Sequence, residues 1–156
     1  MPVIQKAIRR LGATRAWSVT GRFLAPADRV LLRMTKGRLG VGTAAGLRTV
    51  LLTTTGRSSG QERQVPLLYA RHGGGLVVVA SNWGGQRHPG WSANLLAEPR
   101  ARITHAGRTW PVRARLLEGA EREEAWAAIA AHWPAYEEYA QRAGRRTIRV
   151  FRLDRV

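Results

Sequence analysis

The stretch Arg48–Ala80, RTVLLTTTGRSSGQERQVPLLYARHGGGLVVVA, decides the fold. It opens with a Val, Leu and Thr run, Arg48 to Thr55, of the kind that favours strands. Two more apolar runs follow, Val65 to Arg71 and Leu76 to Ala80, joined by the turn His72-Gly73-Gly74-Gly75. Pro66 cannot donate to a strand ladder, so it marks a sheet edge, a bulge or a strand start. Between the first two strands lies a polar, glycine-containing loop, Thr55 to Gly60.

Outward from this core the pattern continues. Ala101 to His105 and Thr109 to Leu117 read as a hairpin around Ala106-Gly107, and Thr147 to Leu153 as a final strand. Helices are expected at Trp91 to Ala97, at Ala120 to His132, and from Pro134 to about Arg142. Another should start near Pro26, since proline suits a first helical turn, with Val30, Leu31 and Met34 on its apolar face. About six strands with flanking helices and no regular strand–helix alternation argue for an antiparallel α+β domain, a small closed or split β-barrel. Residues 1–25 form a basic leader, in which Val3, Ile4, Ala7, Ile8 and Leu11 recur at helical spacing. Residues 26–156 are expected to form one domain.

The chain has 156 residues, the size of one domain, and no cysteine. Disulfides, thiolate nucleophiles and Cys-ligated metals are thereby excluded. Four scattered histidines show no ligand spacing, so no metal site is expected. The 26 Lys+Arg against 10 Asp+Glu give a formal charge of +16, and only Lys6 and Lys36 are lysines. Such a field favours an anionic partner, and arginine suits phosphate and carboxylate. Six of the ten acids fall between Glu118 and Glu138, so the remaining surface is more basic than the average. No segment is long and apolar enough to span a membrane, and the N-terminus does not read as a signal peptide. A cytoplasmic location is expected, with the leader in peripheral contact with an anionic membrane at its inner face.

Four groups of residues are suited to chemistry. Arg57, Ser58, Ser59 and Gly60, followed by Arg63, combine glycine turns, hydroxyls and guanidinia, as an anion site requires. The strand Val65-Pro66-Leu67-Leu68 can turn a partly freed backbone toward a planar ligand. The long loop from Ala80 to Asn94 is too rich in Trp, His, Asn and Gly to be filler. Tyr136 and Tyr139 share one helical face, where a phenol can stack on a ligand or donate a proton.

Three blocks together, LLTTTGRSSGQERQVPLLY (Leu51–Tyr69), VVVASNWGGQRHPGWSANLLAEP (Val77–Pro99) and WPAYEEY (Trp133–Tyr139), resemble the deazaflavin-dependent nitroreductase family. The resemblance runs in order and spacing from Leu32 to Leu153. It implies a split barrel related to FMN-binding barrels, and reduced coenzyme F420 as hydride donor in an actinobacterial oxidoreductase. It also implies a small planar acceptor: a quinone, a nitroaromatic or an activated alkene. Position by position, Arg57, Ser58, Ser59, Gly60 and Arg63 face the phosphate and polyglutamate tail. Gln64, Val65, Pro66, Leu67 and Leu68 lie along the ring and ribityl chain. Val79, Ala80, Ser81 and Asn82 lie beneath the ring, and His88, Pro89, Gly90, Trp91 and Asn94 close the phosphate side. Tyr136 lies over the ring with Tyr139 nearby; Tyr136 or Ser81 stabilises charge or relays a proton. The chain departs from the family pattern at Trp83 and at Ser92-Ala93, on the pocket rim, where the acceptor is chosen.

Two other readings compete. An FMN- or haem-binding barrel would need fewer basic contacts than a polyanionic tail. A non-catalytic basic module for nucleic acid or anionic lipid leaves the ordered Ser81–Asn94 loop unexplained. No nucleic-acid partner is expected, and the chain is expected to be a monomer or homodimer.

Overall fold

A computed structural model describes residues 7, 8, 11, 12 and 14–156. Val3, Ile4, Lys6, Arg9 and Arg10 of the expected leader helix lie outside the described residues. Seven antiparallel strands form one curled sheet: β1 (Thr49–Thr55), β2 (Glu62–Leu68), β3 (Ala70–His72), β4 (Gly75–Val79), β5 (Arg100–His105), β6 (Arg108–Leu116) and β7 (Val150–Arg155). Their order is β2-β1-β5-β6-β7-β4-β3, so β2 and β3, neighbours in sequence, sit at opposite edges. The chain crosses from one edge to the other through Tyr69, and this curls the sheet into the half-barrel expected from the sequence.

The strand expected over Val65–Arg71 is therefore two strands, and the count is seven rather than six. The physical reason is pairing: Leu68 faces Thr49 of β1, whereas Ala70 faces Val77 of β4. One straight strand cannot serve both partners. Tyr69 holds the bend by donating its N–H to the Arg48 carbonyl at 2.9 Å and packing its buried ring edge-on to His105.

Strand alternation divides the apolar side chains between two cores. Val78, Ala80, Phe151 and Leu153 fill the barrel with Val50, Leu52, Ile103 and Val112. Val77 and Val79 point the other way, onto Ile129, Trp133, Tyr136 and Tyr139 of the helical layer.

The first described helix, α1 (Arg15–Met34), corrects the expected start at Pro26. Thr14 caps it, its Oγ1 accepting from the Trp17 N–H at 3.2 Å. Pro26 lies inside the helix, on its exposed side. The N–H it lacks leaves the Arg22 carbonyl to solvent, which makes the substitution tolerable there. A one-turn helix, α2 (Val41–Ala44), is tied to α1 because Asp28 Oδ1 accepts from the Val41 N–H at 2.6 Å. Three helices follow: α3 (Gly90–Ala97), α4 (Gly119–His132) and α5 (Ala135–Ala143). α1 and the residues before it pack on this body: Tyr139 Oη donates to the Gly12 carbonyl at 2.9 Å, ahead of α1, and Trp17 of α1 meets Trp133 at 6.4 Å. Among the described residues no helix is long and apolar enough to cross a membrane.

Candidate active site

Strand β2 is an edge strand, as Pro66 foretold, and its outer side opens into a cavity of about 270 Å³. Val65, Pro66, Leu67 and Leu68 form one wall. Val79, Ser81, Asn82 and Trp83, at and beyond the end of β4, form another, with Tyr136 and Tyr139 of α5 behind them. The inner face of α1 and the α2 turn close the space.

Beside the cavity runs a more open groove of about 450 Å³, lined by Gly56, Arg57, Ser58, Ser59, Arg63 and Gln64. Gly90, Trp91 and Asn94 of α3 and Arg29 of α1 complete it. Val65 and Trp91 line both spaces, so the two adjoin. The groove is built for an anion. Arg29, Arg57 and Arg63 are exposed, and none has a carboxylate partner among the described residues. The neighbouring Arg102, by contrast, is paired with Glu62.

Asn94 fixes the anion loop rather than merely bordering it. Its buried amide accepts from the Arg57 N–H at 3.1 Å and donates to Thr54 Oγ1 at 3.1 Å. Gly60 does not line the groove; at φ +67° it turns the loop, donating its N–H to the Gly56 carbonyl at 2.7 Å. Ala80 likewise faces away, fully buried in the barrel core. His88 lines neither space; its Nδ1 lies 3.3 Å from Arg146 Nη1. Burial, then Arg149 and Arg146, lower its pKa, so the ring is neutral at pH 7. Pro89 lies on the cavity wall.

The aromatic wall is a chain of edge and tilted contacts: Trp126 to Tyr136, Tyr136 to Tyr139 at 5.9 Å, and Tyr139 to Trp83 at 6.1 Å. Tyr139 is buried and its hydroxyl is committed to Gly12. The Tyr136 hydroxyl makes no hydrogen bond among the described residues, and burial pushes its pKa well above that of a free phenol. It is a protonated donor at the cavity wall. Trp83 adopts φ +56° and lays its ring against Gly21 of α1, where any Cβ would meet the ring at 2.4 Å.

Three features escaped the sequence. The first is α1, which presents Trp17, Gly21, Leu24, Ala25 and Asp28 to the cavity. Their spacing is helical, but their mixed polarity hides the face. The second is Thr49, whose buried Oγ1 on the cavity wall has no hydrogen-bond partner among the described residues. The third is Arg146. Its guanidinium donates to the carbonyls of Ser81 at 2.7 Å, Gly85 at 2.9 Å and Ala80 at 3.1 Å. It thereby clamps a loop in which Asn82 and Trp83 both hold positive φ. Arg146→Met, which keeps bulk but removes the donors, should destabilise the fold by roughly 2–3 kcal/mol in urea unfolding. Arg146→Lys should recover only part of that, because one ammonium cannot span three carbonyls. Unchanged stability in Arg146→Met would mean that the loop supports itself.

An apolar cavity beside a groove of arginines without carboxylate partners among the described residues, on a curled antiparallel sheet, is the arrangement of a split-barrel protein. The chain belongs to the F420H(2)-dependent quinone reductase family, whose model matches residues 27–154. The resemblance carried by the three sequence blocks is thus borne out. The F420H(2)-dependent quinone reductase Rv1261c of Mycobacterium tuberculosis (strain ATCC 25618 / H37Rv) is 36% identical over 88 residues. That match covers 56% of this chain and 59% of the relative, so the chain spans less than two thirds of that relative's length. Among solved structures, an F420-H2-dependent reductase, FDR-A, superposes with a TM-score of 0.62 at 38% identity, covering 68% of this chain and 93% of that one. A second, described as a domain-swapped dimer, superposes with a TM-score of 0.63 at 34% identity, covering 83% and 100%.

Proposed function

We propose that this chain is an F420H2-dependent oxidoreductase that reduces a small planar acceptor, a quinone first, with nitroaromatics and activated alkenes as further candidates. The observation that carries the reading is that the apolar cavity and the arginine groove adjoin at Val65 and Trp91. The residues present fit coenzyme F420. A tail of phosphate and carboxylates matches Arg29, Arg57 and Arg63 with the hydroxyls of Ser58 and Ser59. A flat ring system matches an apolar slot between β2 and the end of β4. FMN, with one phosphate and no further acids, would leave part of this arginine set unused.

Bound there, the reduced deazaflavin supplies a hydride. The protein does the rest. Gln64 to Leu68, with Val79, Ser81 and Asn82, position the ring, and α1 with the aromatic wall excludes water. Reduction of a quinone takes up one hydride and one proton. Tyr136, or Ser81 beside it on the wall, gives that proton to the acceptor oxygen and regains it from solvent. Trp83 and Tyr139 bound the acceptor side. In this proposal residues 26–156 carry the site and residues 15–25 add one wall. The solved structure described as a domain-swapped dimer supports a homodimer here, and the leader's peripheral contact with an anionic membrane belongs to the same reading.

The test is anaerobic oxidation of F420H2 with a quinone, a nitroaromatic and an activated alkene in parallel. Turnover with the quinone supports the reading. Tight cofactor binding without oxidation by any of the three would reduce the protein to a cofactor carrier.

A further inference from the structure

Trp83 stands where the backbone calls for glycine. Asn82, Trp83 and Gly84 hold φ of +47°, +56° and +76°, three left-handed residues in succession. Glycine enters that region freely, whereas a bulky side chain there is strained. Gly84 and Gly85 follow directly, and a further glycine at 83 would make the turn without strain. The Arg146 clamp on the carbonyls of Ala80, Ser81 and Gly85 holds the turn as it is.

The strain places the indole. Its benzo edge lies against Gly21 of α1, where a Cβ would come within 2.7 Å of Cζ3 and closer still to Cη2. The same ring meets Tyr139 of α5 edge-on at 6.1 Å. It therefore bridges α1 and α5 on the cavity wall, which Gly21, Trp83 and Tyr139 all line. Gly21 is a second local exception, a glycine inside a 20-residue helix where alanine would be the better helix former. Two residues that each break a local rule meet in one contact, as is expected where function imposes the cost. Anchoring of the N-terminal segment does not require this pair. Trp133 seats on Gly12 in the same manner, with its own φ at an ordinary −135°.

We propose that Trp83, seated on Gly21, sets the size limit of the acceptor. The indole closes the cavity between α1 and α5 and admits a flat ring system without a bulky substituent on that side. The cavity, about 270 Å³, is small for a pocket that holds small molecules, so one indole decides what else enters. That the excluded ligand is an acceptor rests on the proposed function; the size limit on a planar ligand does not.

The test compares 2-methyl-1,4-naphthoquinone with its 3-benzyl derivative. Affinity is read by isothermal titration of the full chain in the presence of oxidised coenzyme F420, and kcat/KM with F420H2 in parallel. Wild type should bind and reduce the benzyl compound at least about tenfold less well. Trp83→Gly, which suits the turn, and Trp83→Leu, which keeps an apolar contact, should each raise affinity for the benzyl compound about tenfold and bring the ratio near one. A ring that served packing alone would move both quinones together. Gly21→Ala gives the reciprocal result: its methyl displaces the indole, so it changes the ratio in wild type and leaves it unchanged in the Trp83→Gly background. Should Trp83→Gly fail to fold by circular dichroism, Trp83→Leu and Gly21→Ala decide. Equal handling of the two quinones by wild type overturns the inference, as does a ratio that survives the substitutions in a folded chain, or failure of wild type to bind either quinone. Discrimination in binding without reduction of either quinone would leave the size limit standing and count against the proposed function alone.

Discussion

Replacing Arg57 and Arg63 together by alanine should weaken coenzyme F420 binding on the order of 100-fold. Both guanidinia stand in the groove without a carboxylate partner among the described residues, so a bound anion becomes their first partner. Charge-assisted hydrogen bonds to such an anion are about twice as strong as neutral ones. The fold itself should lose less than about 0.5 kcal/mol, since neither side chain is buried. Arg102→Ala is the control: its charge is already matched by Glu62, and cofactor affinity should barely change. Isothermal titration at two salt concentrations checks both points. The double variant should also show a shallower salt dependence, because fewer screened contacts remain. Equal affinities in wild type and the double variant would take the tail out of this groove.

The second large effect falls on turnover. Tyr136→Phe should lower kcat by about 100-fold while leaving cofactor affinity unchanged, if its hydroxyl is the proton donor. The side chain is buried and packed between Trp126 and Tyr139, so phenylalanine keeps the wall and removes only the oxygen. The pH profile gives a second reading. A free phenol titrates near about 10 and would begin to lose its donor proton below that. Burial raises the Tyr136 pKa, so the proton is retained to higher pH. The alkaline limb of the wild-type profile should therefore stay flat as pH rises toward 10. If Tyr136→Phe keeps full activity, the assignment passes to Ser81 or to solvent, and Ser81→Ala becomes the discriminating variant.

Much of this architecture is legible in the sequence, for local reasons. The hairpins announce themselves through alternating apolar residues and glycine turns such as Gly73-Gly74, which takes φ +59° and +82°. The anion loop is legible because Gly, Ser and Arg converge within a few residues. The break at Tyr69 is not legible. Its apolar pattern continues unbroken from Val65 to Arg71, and only the distant partners, β1 on one side and β4 on the other, divide it. The full length of α1 is obscured by Pro26, which local rules place at a helix start. The cap that fixes the true start, Thr14, lies twelve residues earlier and looks like any other threonine. Arg146 is one of a cluster with Arg145 and Arg149, and only the fold shows that it alone reaches three carbonyls of the Ser81 loop. Asn94 was legible as a site residue, but its work is to pin the loop through Arg57 and Thr54.

The central claim is that cavity and groove together hold a deazaflavin with an anionic tail. The most direct measurement is a fluorescence titration of the full chain with oxidised coenzyme F420, with FMN titrated in parallel at low and high salt. The account predicts tight binding of F420, weakened by salt, and at least about tenfold weaker binding of FMN, whose single phosphate satisfies fewer of the groove's arginines. Equal affinity for the two, or FMN bound more tightly, would contradict it.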